Sequence, residues 1–222
     1  MPDLLERIAK CIEIGKIDAA SPYPPELQGE PGADELTAMA IDTGVAPHEI
    51  LAKALVVGMR NIGDKFGRNE VFLPDVLMAQ KAMEAATKHL KPFFKSGEVR
   101  KRGTFILGTV AGDLHDIGKK IVGLFIEGGG WEVIDLGVDV PAERFVRAVE
   151  QYRECTVGLS TLLTTTMVNM QEIVTTIKSA HPRTTVIVGG APITQRFAES
   201  IGADAYSPDP QGAVNYLNSL LL

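Results

Sequence analysis

The residues best suited to chemistry lie in one short run, Gly112-Asp113-Leu114-His115-Asp116-Ile117-Gly118-Lys119-Lys120. An imidazole at position 115 with a carboxylate two residues earlier is an arrangement used to hold a metal. One ring nitrogen takes the metal while the carboxylate fixes the other, which sets the tautomer and raises the basicity of the ligand. Gly118 would let the backbone come close to a bulky ligand. The same letters also fit an ordinary histidine near a helix start, with Asp113 or Asp116 capping that helix. Short patterns of this kind arise often by chance, so the run alone favours the ordinary histidine. Two further runs bear on it: Ser160-Thr161-Leu162 and Gly189-Gly190. Gly189-Gly190 taken alone would serve equally as a strand-ending turn.

The elements that position these runs can be read from periodicity. From Thr104 onward, short apolar runs of strand length recur at Thr104 to Val110, Trp131 to Gly137, Thr156 to Thr161, Thr185 to Gly189 and Ala203 to Ser207. Helical stretches lie between them, among them Ala142 to Tyr152 and Met167 to Ala180. Strands alternating with helices imply right-handed crossovers and a parallel sheet covered on both faces. The expected fold is therefore a doubly wound, five-stranded α/β domain of the Rossmann or flavodoxin-like type, with ligands at the carboxyl ends of its strands. All three runs lie at or just after strand ends, at 112–120, 160–162 and 189–190, and so share that edge.

Residues 3–95 have helical periodicity and no convincing strand. Leu4, Leu5, Ile8, Cys11 and Ile12 share one face of a first helix within Met1 to Ile14. The prolines of Ser21 to Gly32 break the chain, and a second helix is expected from about Asp34 to Ile41. Pro47 and Pro74 suit the first turns of a third helix, to about residue 66, and of a fourth, to about Leu90. The predicted organisation is a four-helix N-terminal bundle at 1–92, a linker at 93–102 and the α/β domain at 103–222.

Composition narrows the function classes. Hydrophobic residues make up 45% and charged residues 23% of the 222, the balance of a globular protein. A formal charge of -6, with no basic run beyond Arg100, Lys101 and Arg102, argues against nucleic acid as a partner. No apolar run has membrane-spanning length, and Met1 to Ile14 lacks the features of a signal peptide. Cys11 and Cys155 read as reduced thiols, so a cytoplasmic protein is expected. No zinc site with paired cysteines, no nucleophile beside a base and no phosphate loop is visible.

Taken together, the three runs resemble the cobalamin-binding domain shared by methionine synthase, the mutases and the corrinoid proteins of anaerobic methyl transfer. That family is marked by Asp-x-His-x-x-Gly, Ser-x-Leu and Gly-Gly, and the intervals here, residues 119–159 and 163–188, match its usual lengths. The resemblance implies a cobalamin or related corrinoid, methylcobalamin in the loaded state, bound base-off with His115 as lower axial ligand of cobalt. Asp113 would hydrogen-bond to His115, and Thr166 would extend that relay. Leu114, Asp116, Ile117 and Gly118 belong to the same binding run. Ser160, Leu162 and Thr164 would line the upper part of a slot for the nucleotide tail, with Gly189 and Gly190 leaving room lower down.

Residues 58–75 resemble the helical cap that precedes this domain in methionine synthase and in corrinoid methyl carriers. By that resemblance Phe66 and Leu73 would cover the upper face of the cofactor, although spacing alone favours ordinary bundle core. The proline-rich stretch from Ser21 to Pro31 is where the likeness is weakest. The function implied is a non-catalytic carrier that shuttles a methyl group from a donor methyltransferase to an acceptor methyltransferase. Its acceptor would be tetrahydrofolate or coenzyme M, and a reductive activase would be a further partner. Carriers of this architecture handle methylamines, methanol, glycine betaine and methoxylated aromatics, and no residue chooses among these donors. Another class, a cobalamin-dependent sensor or regulator, would be expected to carry an output domain. A cofactor subunit of a mutase would hold its cofactor against a barrel, not a helical cap.

Overall fold

The structure, a computed structural model, describes residues 3–221. Met1, Pro2 and Leu222, which fall within the expected domain limits, lie outside the described residues. The chain divides into two compact units, Met1–Lys101 with Gly128–Gly130, and Arg102–Glu127 with Trp131–Leu222.

The first unit is helical. Helix α1 (Leu4–Glu13) is followed by a loop containing a single 3-10 turn, Pro25–Leu27, and then by α2 (Ala33–Asp42). The next helical stretch opens as α3 (Pro47–Glu49), passes through a π segment, Ile50–Leu55, and continues as α4 (Val56–Gly67). Pro47 sits in the first turn, as its missing N–H predicts. The last helix, α5 (Leu73–Ser96), also has proline in its first turn. It runs past the expected end near Leu90 and carries Pro92 inside it, so 93–96 of the expected linker is helix. A proline costs a helix one backbone hydrogen bond and some crowding, which a long helix packed along one face can absorb. Ile8, Ile12, Leu36, Ala40, Ile50, Leu55, Val76, Ala79, Ala86 and Leu90 form the buried side of these helices. In this packing α1 lies against α4, and α2 against α5.

The second unit is the expected α/β domain. Its strands are β1 (Thr104–Thr109), β2 (Glu132–Asp135), β3 (Cys155–Ser160), β4 (Thr185–Gly189) and β5 (Ala205–Tyr206). They form one sheet in the order β2-β1-β3-β4-β5, and every pairing is parallel. The connecting helices are α6 (Ile117–Gly128), α7 (Ala142–Gln151), α8 (Met167–Ala180) and α9 (Gln195–Ser200), with α10 (Pro210–Ser219) closing the chain. β1, β3 and β4 are buried along nearly their whole length, as strands covered on both faces must be. β2 and β5 are shorter than the apolar runs that predicted them. Both lie at an edge of the sheet, where only one neighbour supplies a ladder. Phe145, Val157, Leu159, Ile173, Val174 and Val188 form the centre of one face of the core.

The strand order reverses between β1 and β3, and the crevice at the carboxyl ends of those two strands is where such sheets bind ligands. Thr109, Ser160 and Gly189 stand in register across β1, β3 and β4. This places the loops that follow them side by side.

Candidate corrinoid site

At the end of β1 the chain turns through Gly112 and presents His115, whose side chain is about half exposed (52%), ahead of α6. Asp113 beneath it is fully buried. Oδ1 of Asp113 accepts from the backbone N–H of His115 at 2.9 Å and pairs with its Nδ1 at 2.7 Å. Oδ2 accepts from the N–H of Leu162 at 2.6 Å and from the hydroxyl of Thr161 at 2.9 Å. Burial on its own would raise the pKa of Asp113. The donors from Leu162, His115 and Thr161 outweigh it and hold the carboxyl well below the usual carboxylate range.

The carboxylate can only accept, so the neutral ring carries its proton on Nδ1 and keeps a lone pair on Nε2. Among the described residues Nε2 has no hydrogen-bond partner. The backbone carbonyl of His115 is tied down as well, by the hydroxyl of buried Thr109 at 2.9 Å.

Thr166 does lie on this relay, though one step further back than Asp113. Its hydroxyl is bonded to that of Thr161, which in turn donates to Asp113. Thr161 and Thr166 are both buried, so the run Thr166, Thr161, Asp113, His115 leads from the interior to the exposed ring. Thr161 stood inside the Ser-x-Leu run, but nothing in its spacing marked it as the group that touches the carboxylate. Its burial at the end of β3 is what brings it there.

Leu114, Ile117 and Leu162 are exposed at 72%, 69% and 46%. Leu114 and Ile117 are near His115 along the chain and Leu162 donates its N–H to Asp113, so exposed apolar surface gathers at this loop. Gly118 is exposed, and a side chain there would meet only open space. Asp116 pairs with Lys120 on the exposed side of α6, away from the relay. Ser160 is half-buried, whereas Thr164 is exposed in a 3-10 turn before α8.

Gly190 is required by the chain itself. Its φ is +128, and a Cβ would fall 1.8 Å from the carbonyl oxygen of Thr161. The loop after β4 thereby closes on the segment that supplies donors to Asp113. Phe66, in the last turn of α4, and Leu73, the first residue of α5, are both half-buried within the first unit.

The donor set fits one axial position on a metal held elsewhere by a macrocycle. Among the described residues no group of three or more His, Cys, Asp or Glu could hold a bare ion. A single imidazole, pre-set on Nε2 and bordered by exposed leucine and isoleucine, suits a flat, largely apolar metal complex.

A family profile described as a B12 binding domain matches residues 103–214, and a second profile of the same description matches residues 29–91. The trimethylamine corrinoid protein of Methanosarcina barkeri is 40% identical over 193 residues, covering 85% of this chain and 89% of that protein. Among solved structures, the methanol:cobalamin methyltransferase complex MtaBC from Methanosarcina barkeri contains a chain with a TM-score of 0.81 at 27% identity, over 98% of this chain and 79% of that one. A cobalamin-binding protein from Desulfitobacterium hafniense DCB-2 aligns with a TM-score of 0.76 at 29% identity, over 98% of both chains. The chain therefore belongs to the family of B12-binding corrinoid proteins, and its cofactor is a corrinoid.

Proposed function

We propose that this chain is a methyl carrier that binds its corrinoid base-off through Nε2 of His115 and serves two methyltransferases in turn. The observation that carries the reading is the buried relay behind His115. Asp113 accepts from Nδ1, so in the neutral ring the lone pair lies on Nε2, which has no hydrogen-bond partner among the described residues. When bound, the corrinoid supplies a cobalt centre able to take up and give up a methyl group.

The chain's own residues do the rest. His115 would hold the corrinoid, Asp113, backed by Thr161, accepts from Nδ1, and the exposed side chains of Leu114, Ile117 and Leu162 would be covered by the cofactor. Ser160, Leu162 and Thr164 would line the upper part of the slot for the nucleotide tail, with Gly189 and Gly190 leaving room lower down, and Thr166 would extend the relay behind Asp113. Residues 1–92 would act as the cap, with Phe66 and Leu73 over the upper face, residues 93–102 as the linker and 103–222 as the cobalamin-binding domain. A lid of this kind shields a reactive centre and must open for transfer.

The partners we propose are a donor-specific methyltransferase, an acceptor methyltransferase acting on tetrahydrofolate or coenzyme M, and a reductive activase. The relative named for trimethylamine supports a methylated amine as the original donor. Among the described residues no helix is long and apolar enough to cross a membrane, and a cytoplasmic carrier is proposed.

The test is direct. Protein loaded with methylcobalamin should lose its methyl group to tetrahydrofolate or coenzyme M only when the cognate methyltransferase is added. His115→Ala should bind cofactor more weakly and lose the histidine-ligated visible spectrum. An unchanged spectrum in that variant would defeat the assignment.

A further inference from the structure

The loop that presents His115 is held from both sides by residues outside the cofactor-binding runs. On one side stands Asp139, in the connection between β2 and α7. Its carboxylate Oδ1 accepts from the N–H of Gly112 at 2.7 Å, and its own backbone N–H donates to the carbonyl of Asp113 at 3.0 Å. On the other side Asn169, in the first turn of α8, donates from Nδ2 to the carbonyl of Ala111 at 2.7 Å. The remaining N–H of the turn, that of Asp113, bonds to Val110 at 3.1 Å. Three consecutive peptide groups, 111–113, are thus all engaged.

Asp139 is itself rigidly placed. The segment around it runs beside β1, with Thr109 N–H bonded to Gly137 and Val140 N–H bonded to Thr109, both at 3.0 Å, and Val110 bridged to Val140. Its φ of 52 lies in the left-handed region, which aspartate tolerates better than most residues but which still needs outside support. Gly112 opposite it has φ +80, and a Cβ there would press on Thr166 and Asn169 at 3.3 and 3.4 Å. A left-handed glycine and a left-handed aspartate therefore face each other across the hydrogen bond from Gly112 to Asp139, the strain lying with Asp139. Such pairs persist where surrounding contacts over-determine the geometry.

We propose that Asp139, assisted by Asn169, is a positioning residue for the axial imidazole. It touches neither ring nor cofactor but fixes the turn from which Asp113 and His115 project, so that Nε2 is aimed before the cofactor arrives. The proposal rests on the reading of His115 as the axial ligand. A ligand held by its supporting contacts loses affinity when they are removed, and about ten-fold is the expected scale.

The experiment uses three variants of the full chain loaded with cob(II)alamin. The histidine nitrogen splitting is read by electron paramagnetic resonance on protein labelled with nitrogen-15 histidine, and cofactor affinity by titration. Asp139→Gly keeps the left-handed backbone accessible and removes only the acceptor for Gly112. It should lose the splitting in most molecules and bind about ten-fold more weakly. Asp139→Asn keeps an oxygen at the same place and should restore both properties to within about two-fold of wild type.

Asn169→Ala leaves the backbone unstrained, and it should weaken binding by about three-fold even if the glycine variant does not fold. The proposal is overturned if Asp139→Gly keeps wild-type splitting and affinity, if Asp139→Asn fails as the glycine variant does, or if Asn169→Ala is unchanged. A wild-type protein without histidine splitting would instead overturn the ligand assignment, so the two failures are distinct.

Discussion

Among the described residues each unit buries one carboxylate, and the two are satisfied in opposite ways. Glu13, at the end of α1, is 8% exposed and accepts from the ammonium groups of Lys10 at 2.7 Å and Lys65 at 2.8 Å and from the amide of Asn61 at 3.2 Å. Asp113 is 0% exposed, and its donors are two backbone N–H groups, a hydroxyl and an imidazole, none of which is a fixed cation. Burial raises the pKa of both, and hydrogen bonding outweighs it in both, bringing Glu13 down to about 2. The charge of Glu13 is neutralised on the spot, which makes it a clip between α1 and α4. The charge of Asp113 is solvated but not cancelled. Its field falls on the one polarisable neighbour with a free nitrogen, His115, and favours cation binding there. In this protein the carboxylate with only neutral donors lies beneath an exposed imidazole, whereas the one ringed by lysines joins two helices.

Isosteric amides should separate the two. Asp113→Asn turns an amide NH2 toward either the Leu162 and Thr161 donors or the two His115 donors, leaving at least one backbone N–H without an acceptor and removing the charge that all four donors solvate. A loss of about 4 kcal/mol is expected for the second unit. Trp131, the single tryptophan and 4% exposed in that unit, reports it by fluorescence during chemical denaturation.

Gly190→Ala comes next, because both its φ and the Thr161 carbonyl forbid a Cβ. It should cost about 3 kcal/mol by the same measurement and loosen Thr161 from Asp113.

Glu13→Gln should cost the first unit less, about 2 kcal/mol, since its lysines can swing to water when the charge is lost. A larger effect here than at Asp113 would reverse the comparison. The pH profile sharpens it. With its folded pKa below the ordinary value of 4.5, Glu13 contributes in full above that pH, and the contribution is lost as pH falls toward about 2. The gap between wild type and Glu13→Gln, followed by far-ultraviolet circular dichroism, should therefore close over that window and stay constant above it.

Thr166→Val should have the smallest effect, about 1 kcal/mol, because it removes the outermost relay bond while Thr161 still donates to Asp113.

Much of this was legible in the chain before folding. The Asp113 and His115 pair is local, two residues apart at the end of a strand, so a short run of letters is enough to describe it. The change from helical to strand-length periodicity near Thr104 announces the parallel sheet, because a strand buried on both faces has to be apolar throughout. Pro47 and Pro74 mark helix starts through a property of one residue. The end of α5 was not legible, because Pro92 weakens a helix locally and only packing decides whether it stops. Thr161, Asp139 and Asn169 were hidden for another reason. Each reaches the His115 loop from a different element, and a threonine or aspartate in a loop, or an asparagine at a helix start, has many ordinary uses.

What the sequence determined by itself was the class of fold and the identity of the pair at 113 and 115, since both depend on periodicity and on neighbours along the chain. Only the tertiary structure decided that Asp113 would be sealed from water among neutral donors and that His115 would stand half exposed above it. Burial and hydrogen-bond partnership belong to groups that meet across the sheet edge, and no spacing along a single chain records which of them will meet.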